Sequence, residues 1–424
     1  MFSRKWLIPG MQVKRWLGLL LGGITLLALG IADLLIHIYE TVTVPAGLQT
    51  AVAVSTLQFL PQAARAAVFG LAGAGLATAG LVGLNRSLVE AARSRASGRL
   101  VDLVDRRRRQ KASPKIVAIG GGTGLSTLLR GLKHHTGNIT AVVTVADDGG
   151  SSGRLRRSLG VQPPGDFRQC IAALAETEPL MESLFQYRFG QGELGGHAFG
   201  NLFIVAMVGI TGSFESALRA ASRVLAVAGR IVPSTTAHVT LYAELADDRV
   251  MAGESNVPHG DAPIRRVFLE PAAPPAFPEA VAAILDADLV VLGPGSLYTS
   301  VLPNLLVPDI TAALTATAAP VVYVANVATQ PGETDGYDLQ AHVDALRRHI
   351  GDGVVDHVLA NADISRPLPA GAPVTRVMPS LSAGGGARAP RLVTADLASP
   401  AIPTHHDPAR LAEAVMRLVK QPEK

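Results

Sequence analysis

The sequence predicts an α/β protein: a Rossmann-like, mainly parallel sheet with helices on both faces, preceded by two transmembrane helices. Three observations carry this. From residue 115 onward, continuous apolar runs of strand length (116–119, 289–292, 321–325) alternate with helical patterns, as in a parallel sheet covered on both faces. The stretch Lys115 to Arg156 runs strand, glycine turn, helix, strand, a βαβ unit whose helix N-terminus can hold a phosphate. Finally, hydrophobic residues make up 48% of the chain and charged residues 17%, with mean hydropathy +0.30, which is apolar for a soluble enzyme and points to membrane spans.

The spans belong to the N-terminal region. Residues 16–36 are apolar with one charge, Asp33, and are long enough to cross a bilayer core. Residues 66–84 form a second uncharged run, rich in Gly and Ala, and small residues allow two spans to pack as a hairpin. Basic residues flank both outer ends: Arg4, Lys5, Lys14 and Arg15 before the first span, and the arginines from Arg86 to Arg109 after the second. The positive-inside rule therefore puts both termini in the cytoplasm. The expected organisation is a hairpin over 1–90, an Arg-rich cytoplasmic linker over 91–113 and an α/β domain over 114–424. The expected location is the inner membrane, with two spans and the main domain cytoplasmic.

The 424 residues carry a net charge of +4, unevenly spread. Residues 1–111 hold about +9 by count of Lys/Arg against Asp/Glu, which leaves the remainder at about −5. The main domain thus lacks the basic surplus that nucleic-acid binding needs. The single cysteine, Cys170, excludes an intramolecular disulfide and a multi-Cys metal site.

Ser113-Pro114 opens the α/β domain. After the βαβ unit, Pro163-Pro164-Gly165 makes a turn, and Asp166 can cap a helix reaching about Glu176. Helical patterns follow over 179–189, 202–208 and 214–228. Residues 230–245 read as an extended strand pair, with further short strands near Val250 and over 264–269. A helix over 278–286 leads to the buried strand 289–292. Strand 321–325, helix 338–350, strand 354–360 and a last helix from Asp407-Pro408 complete the pattern.

In parallel sheets ligands bind beyond the carboxyl ends of the strands. Four loops occupy that position: Gly120 to Gly124, Asp147 to Arg154, Gly293 to Ser300 and Asn326 to Gly336. In the first, Gly121, Gly122, Thr123 and Gly124 let backbone N–H groups approach an anion. Leu125 or Thr127 stands where a dinucleotide fingerprint has its third glycine, and no Gly-Lys-Ser/Thr follows, so neither a dinucleotide loop nor a Walker A loop is present. In the second, Asp147 and Asp148 could hold Mg²⁺ or a hydroxyl, while Gly149, Ser151, Ser152 and Arg154 could bind phosphate. Gly293, Gly295 and Ser296 present further N–H donors. Asn326 suits an amide, base or sugar hydroxyl, and Glu333 and Asp335 are candidate sugar or metal ligands. His197 and Asn201 are candidate polar pocket groups. No nucleophile–base–acid order stands out, and no catalytic residue is assigned.

Taken together, GGGTGLSTLLRGLK, VADDGGSSGRLR, PPGDFRQC, GHAFGNL, GPGSLYTSVLPNLLV and NVATQPGETDGYD resemble the CofD-like superfamily, and within it the YvcK-type gluconeogenesis factors. The resemblance runs from about Lys115 to the final helix. It implies a Rossmann-like domain that binds a UDP-sugar and acts in cell-envelope synthesis and cell shape during growth on gluconeogenic carbon. The sister branch, the 2-phospho-lactate transferases, is Mg²⁺-dependent and supplies the alternative of a transferase moving a phosphate-bearing group. Two positions depart from the branch pattern: Ala198 stands where Ser is common and Ala328 where Met is common. On this reading the chain is a binding or regulatory protein more than an enzyme. Mg²⁺ accompanying a UDP-sugar is the candidate cofactor. The expected partners are the nucleotide-sugar, membrane lipid, and a second copy or cell-envelope regulatory proteins.

Overall fold

The computed structural model describes residues 113–176, 179–368, 371, 373–381 and 389–419, with scattered positions between 24 and 78. The chain divides into two compact units, Met1–Arg108 and Arg109–Lys424. Most of 16–36 and 66–84, and all of 91–112, lie outside the described residues, so the predicted hairpin and linker do as well. Among the described residues no single helix is long and apolar enough to cross a membrane.

The second unit is built on β1 (Ile116–Gly120), β2 (Ile139–Val143), β3 (Arg230–Pro233), β7 (Leu289–Leu292), β8 (Val321–Val324), β9 (His357–Asn361) and β10 (Arg391–Ala395). They form one sheet in the order β10-β9-β8-β7-β1-β2-β3, with every neighbouring pair parallel. The central strands IVAIG, ITAVV, LVVL and VVYV are buried along their whole length, as β-branched runs covered on both faces must be. The edge strand β10, RLVTA, is exposed or half-exposed throughout.

The helices that shape the site are α1 (Gly122–Leu132), α2 (Gly150–Leu159), α3 (Gly165–Leu174), α4 (Pro179–Gln186), α5 (Phe199–Thr211) and α6 (Phe214–Val224). Phe167 on α3 meets Phe214 on α6 edge-to-face, with ring centroids 4.9 Å apart. Later in the chain come α7 (Pro278–Leu285), α8 (Leu302–Leu305), α9 (Pro308–Ala316), α10 (Leu339–Ile350) and α11 (Pro408–Val419).

Three readings of the sequence need correction. Residues 230–245 are not a strand pair. β3 joins the parallel sheet beside β2, while β4 (Thr240–Leu245) pairs antiparallel with β5 (Val250–Ala252) and β6 (Ile264–Glu270) in a separate three-stranded sheet. The Gly-Ser-Ser-Gly-Arg segment is not a loop but the first turn of α2, with Gly149 as its N-cap. Asp166 does not cap α3: Pro164 holds the N-cap position, and the Asp166 carboxylate is turned toward the glycine turn after β1.

Candidate functional site

The strand order reverses at β1, which has β2 on one side and β7 on the other. That reversal splits the flanking connections and leaves a crevice at the strands' carboxyl ends. The loops on its two sides meet backbone to backbone. Gly293 N–H donates to Ile119 O at 2.7 Å. A Cβ on Gly124 would lie 2.4 Å from Pro294 O and 2.6 Å from Gly295 Cα, so only glycine fits there. The Asn304 side chain donates to Gly120 O at 3.1 Å and locks the turn from beneath.

The start of α1 already faces a carboxylate. A Cβ on Gly121 would sit 2.3 Å from Asp166 Oδ2, and Gly122 N–H donates to the Asp166 carboxylate. Thr123 is exposed and donates to Gln169 Oε1 at 3.2 Å. The start of α2 also meets a carboxylate, that of Asp147 on Gly149 N–H, but it is more open. Its N-cap Gly149 makes no side-chain cap, no acid lies in its first turn, and Gly150 is exposed with nothing near its Cβ position. The free N–H groups and the dipole of α2 therefore face the crevice, the arrangement that attracts phosphate.

Asp147 and Asp148 flank that helix start in two different ways. Asp147 Oδ1 accepts from Gly149 N–H at 2.9 Å. Asp148 Oδ1 accepts from Ser255 N–H at 2.9 Å, across to the 3₁₀ turn Glu254–His259 that follows β5. Ser152 Oγ accepts from Gly165 N–H at 3.0 Å, pinning α2 to α3. Ser151 Oγ bridges His197 Nδ1 and Asn201 Nδ2, each at 3.0 Å, and Asn201 Oδ1 accepts from Arg168 Nε at 3.0 Å. Arg154 is exposed and donates to Gly195 O at 3.0 Å. His197 and Asn201 thus join the crevice through Ser151.

On the other side, Ser296 accepts from Gln330 Nε2 at 2.6 Å, and Gln330 Oε1 accepts from Asn326 Nδ2 at 2.9 Å, so the loops after β7 and β8 are joined. Glu333 Oε1 accepts from Thr299 Oγ1 at 3.0 Å. Asp335 does not join the site. It is exposed, and its carboxylate accepts from Gly332 N–H at 2.6 Å within its own loop. A separate groove along α6 and β3, lined by Arg219, Arg223, Arg230 and Phe277, shares no residue with these loops.

Local sequence patterns missed two carboxyl groups at the site. Burial, with the Asp147 carboxylate nearby, pushes Asp166 up to about 7. Burial and the fields of Asp147, Asp166, Glu333 and Asp148 push Glu254 up to about 8. Burial also raises Asp147, against the opposing bonds from Gly149 and Ser152, and it raises Glu333. Glu254 left no signal beyond a lone acid in a stretch without periodicity. Asp166 stood beside Pro-Pro-Gly, where a capping role was the local explanation. Crowded, desolvated carboxyls with shifted titration are found at functional sites more often than elsewhere.

The acids do not form a ready cage: among the described residues no three His, Cys, Asp or Glu side chains converge as metal ligands. A Mg²⁺ ion here would take one or two carboxylate oxygens from Asp147 and Asp148 and the rest from water and ligand phosphates, its usual mode.

Known proteins place the chain. Residues 116–373 match the family described as 2-phospho-L-lactate transferase CofD. A protein of Bacillus subtilis named gluconeogenesis factor is 53% identical over 251 residues, 59% of this chain and 79% of its own length. A Deinococcus radiodurans relative is 41% identical over 433 residues, 98% of this chain and 89% of its own. A crystal structure of a upf0052 family member from Bacillus halodurans superposes with a TM-score of 0.67 at 42% identity, over 72% of this chain and 99% of that one. These relatives fit a regulatory or CofD-like role. With a matched segment covering more than half its length, the chain belongs to the CofD family.

Proposed function

We propose that the chain is a regulatory factor that binds a UDP-sugar without turning it over. On this reading it links gluconeogenic carbon metabolism to cell-envelope synthesis and cell shape, tethered to the cytoplasmic face of the membrane by its N-terminal segment. The observation that carries the binding role is the uncapped start of α2, open beside Asp147 and Asp148 in a crevice closed by the loops after β1, β7 and β8. The diphosphate would lie on the α2 N–H groups, with Arg154 at its exposed flank. Mg²⁺, if bound with it, would offset the repulsion between phosphate and the two aspartates. The polar side chains are bonded to one another and to backbone. Among the described residues the hydroxyl–imidazole pair Ser151–His197 has no acid orienting the imidazole, which supports binding without chemistry.

A second reading rests on one observation. Asp166 near 7 and Glu254 near 8 titrate where a general acid or base works best, which favours a transferase of a phosphate-bearing group. Calorimetry of the full chain against UDP-N-acetylglucosamine, GTP and NAD, each with Mg²⁺ and with EDTA, separates the two. Binding of the UDP-sugar with no product supports the regulatory reading. UDP-sugar binding that disappears in EDTA, accompanied by product, moves the assignment to transferase. Binding of NAD alone rejects both.

A further inference from the structure

The helices on either side of the glycine-rich loop 190–196 bury less than their composition demands. α4 reads PLMESLFQ, and among its described side chains only Phe185 is buried. Leu180 is 79% exposed, Met181 40% and Leu184 40%. α5 reads FGNLFIVAMVGIT, 13 residues without a charge, and buries only Gly200, Asn201 and Ile204. A helix that is apolar all round belongs in an interior rather than at a surface. Leu202, Ala206, Gly209 and Ile210 recur at helical spacing on the stripe opposite Ile204, and Ile210 is 78% exposed.

The two helices adjoin. The Phe185 ring meets Phe203 edge-to-face with centroids 5.7 Å apart, and Phe203 lies 6.3 Å from Phe199. Phe199 N–H donates to Tyr187 O at 2.8 Å, which fastens the end of α4 to the start of α5. An eight-residue helix held by one buried side chain gains little against the entropy of ordering it, so its other apolar residues call for cover. Leu180, Met181, Leu184, Tyr187, Leu194 and Ile210 together expose roughly 600 Å², taking about 200 Å² for a fully exposed large side chain. The partly exposed remainder of α5 raises this toward the roughly 800 Å² that one partner contributes to a standard interface, beyond the roughly 300–600 Å² of the largest patch on a typical monomer.

Charge decides what covers this surface. Exposed Glu176, Glu182 and Glu193 border it beside Lys133 and Arg188, so it lacks the surplus of Lys and Arg that an anionic bilayer attracts. An uncharged stripe is instead complementary to itself: a two-fold axis sets apolar against apolar and asks for no matching group, while charges of both signs remain for a polar rim. We propose that α4 and the outward stripe of α5 form the two-fold interface of a homodimer. Asn201 in the first turn of α5 donates to Ser151 Oγ at 3.0 Å, so the interface helix also carries a residue of each protomer's crevice.

Sedimentation velocity of the full chain in a nonionic detergent tests the proposal on wild type, on Leu180→Glu/Ile210→Glu, and on Leu285→Glu, a control at an exposed apolar residue of α7 outside this face. Both substituted positions of the double variant are exposed in the monomer, so the fold should survive, and circular dichroism checks that it does. Wild type is expected to be a dimer. The double variant should be a monomer, its dimer dissociation constant raised about 100-fold or more, because the two-fold axis brings four like charges into a dry interface. Ile210→Glu alone should weaken the dimer about tenfold and keeps the test decisive if the double variant does not fold. Leu285→Glu should remain a dimer. A monomeric wild type overturns the proposal, and more detergent bound to wild type than to the double variant would then assign the face to lipid. A folded double variant that stays dimeric, or a Leu285→Glu variant that dissociates equally, overturns it in favour of contacts elsewhere.

Discussion

Replacing Asp166 with Asn should stabilise the protein, and by an amount set by pH. In the folded chain the Asp166 carboxyl is held at about 7, against an ordinary value of 3.8, chiefly because it is removed from water and secondly because Asp147 lies close by. The folded state therefore binds more protons than the unfolded state between about pH 4 and pH 7, and stability falls as pH rises through that window. Below 3.8 the group is protonated in both states and costs nothing. Above about 7 the full penalty applies, and the distance from 3.8 to about 7 corresponds to about 4 kcal/mol as an upper limit. Asparagine keeps an acceptor for Gly122 N–H but cannot ionise. The stability gain of Asp166→Asn over wild type should thus be near zero at pH 4 and grow to about 2–4 kcal/mol at pH 8. Urea unfolding followed by circular dichroism across pH 4 to 8 measures it. A gain that does not vary with pH, or a variant less stable than wild type at pH 8, would refute the argument that Asp166 is held as a desolvated acid. Loss of UDP-sugar affinity alongside the gain would show that the strained acid is retained for function.

Other substitutions probe the rest of the crevice. Gly124→Ala drives a Cβ into Pro294 O and Gly295 Cα, both backbone, and should cost about 1–3 kcal/mol in thermal unfolding while weakening nucleotide-sugar binding, because α1 and the loop after β7 must separate. Ser152→Ala leaves the buried Gly165 N–H without its acceptor and should cost about 1–3 kcal/mol, read from urea midpoints at unchanged slope. Asp148→Ala frees Ser255 N–H and the turn bearing Glu254. Affinity for UDP-N-acetylglucosamine should fall about tenfold by calorimetry, and an unchanged value removes Asp148 from the site.

Much of this was legible in the linear chain, for local reasons. The runs IVAI, LVVL and VVYV are too short and too apolar to be anything but strands buried on both faces, and the glycine and Asp-Asp-Gly-Gly stretches mark where strands turn into helices. The four loops that converge in the structure are the four that end predicted strands. Less was legible wherever two structures compete for one local pattern. Residues 230–245 are β-rich throughout, and nothing local says that β3 joins the parallel sheet while β4 leaves for another. The exposed, short β10 carries too little apolar signal to stand out from its loop. Asp166 has the sequence of a capping residue and the position of an acid facing Gly121.

What the amino-acid order determined by itself is the framework: which segments are strands, where glycine permits a tight turn, and which carboxyls stand near strand ends. These follow from periodicity and backbone sterics, which act over a few residues. What the tertiary structure decided is which of those groups matter together. Ser255 reaches Asp148 from 107 residues away, Glu333 meets Thr299 across 34, and Asp335, two residues from Glu333, turns out to solvent. Desolvation and charge repulsion depend on all the chain packed around a group, so the unusual acids of this crevice, Asp166, Glu254 and Glu333, are products of the fold rather than of their sequence neighbours.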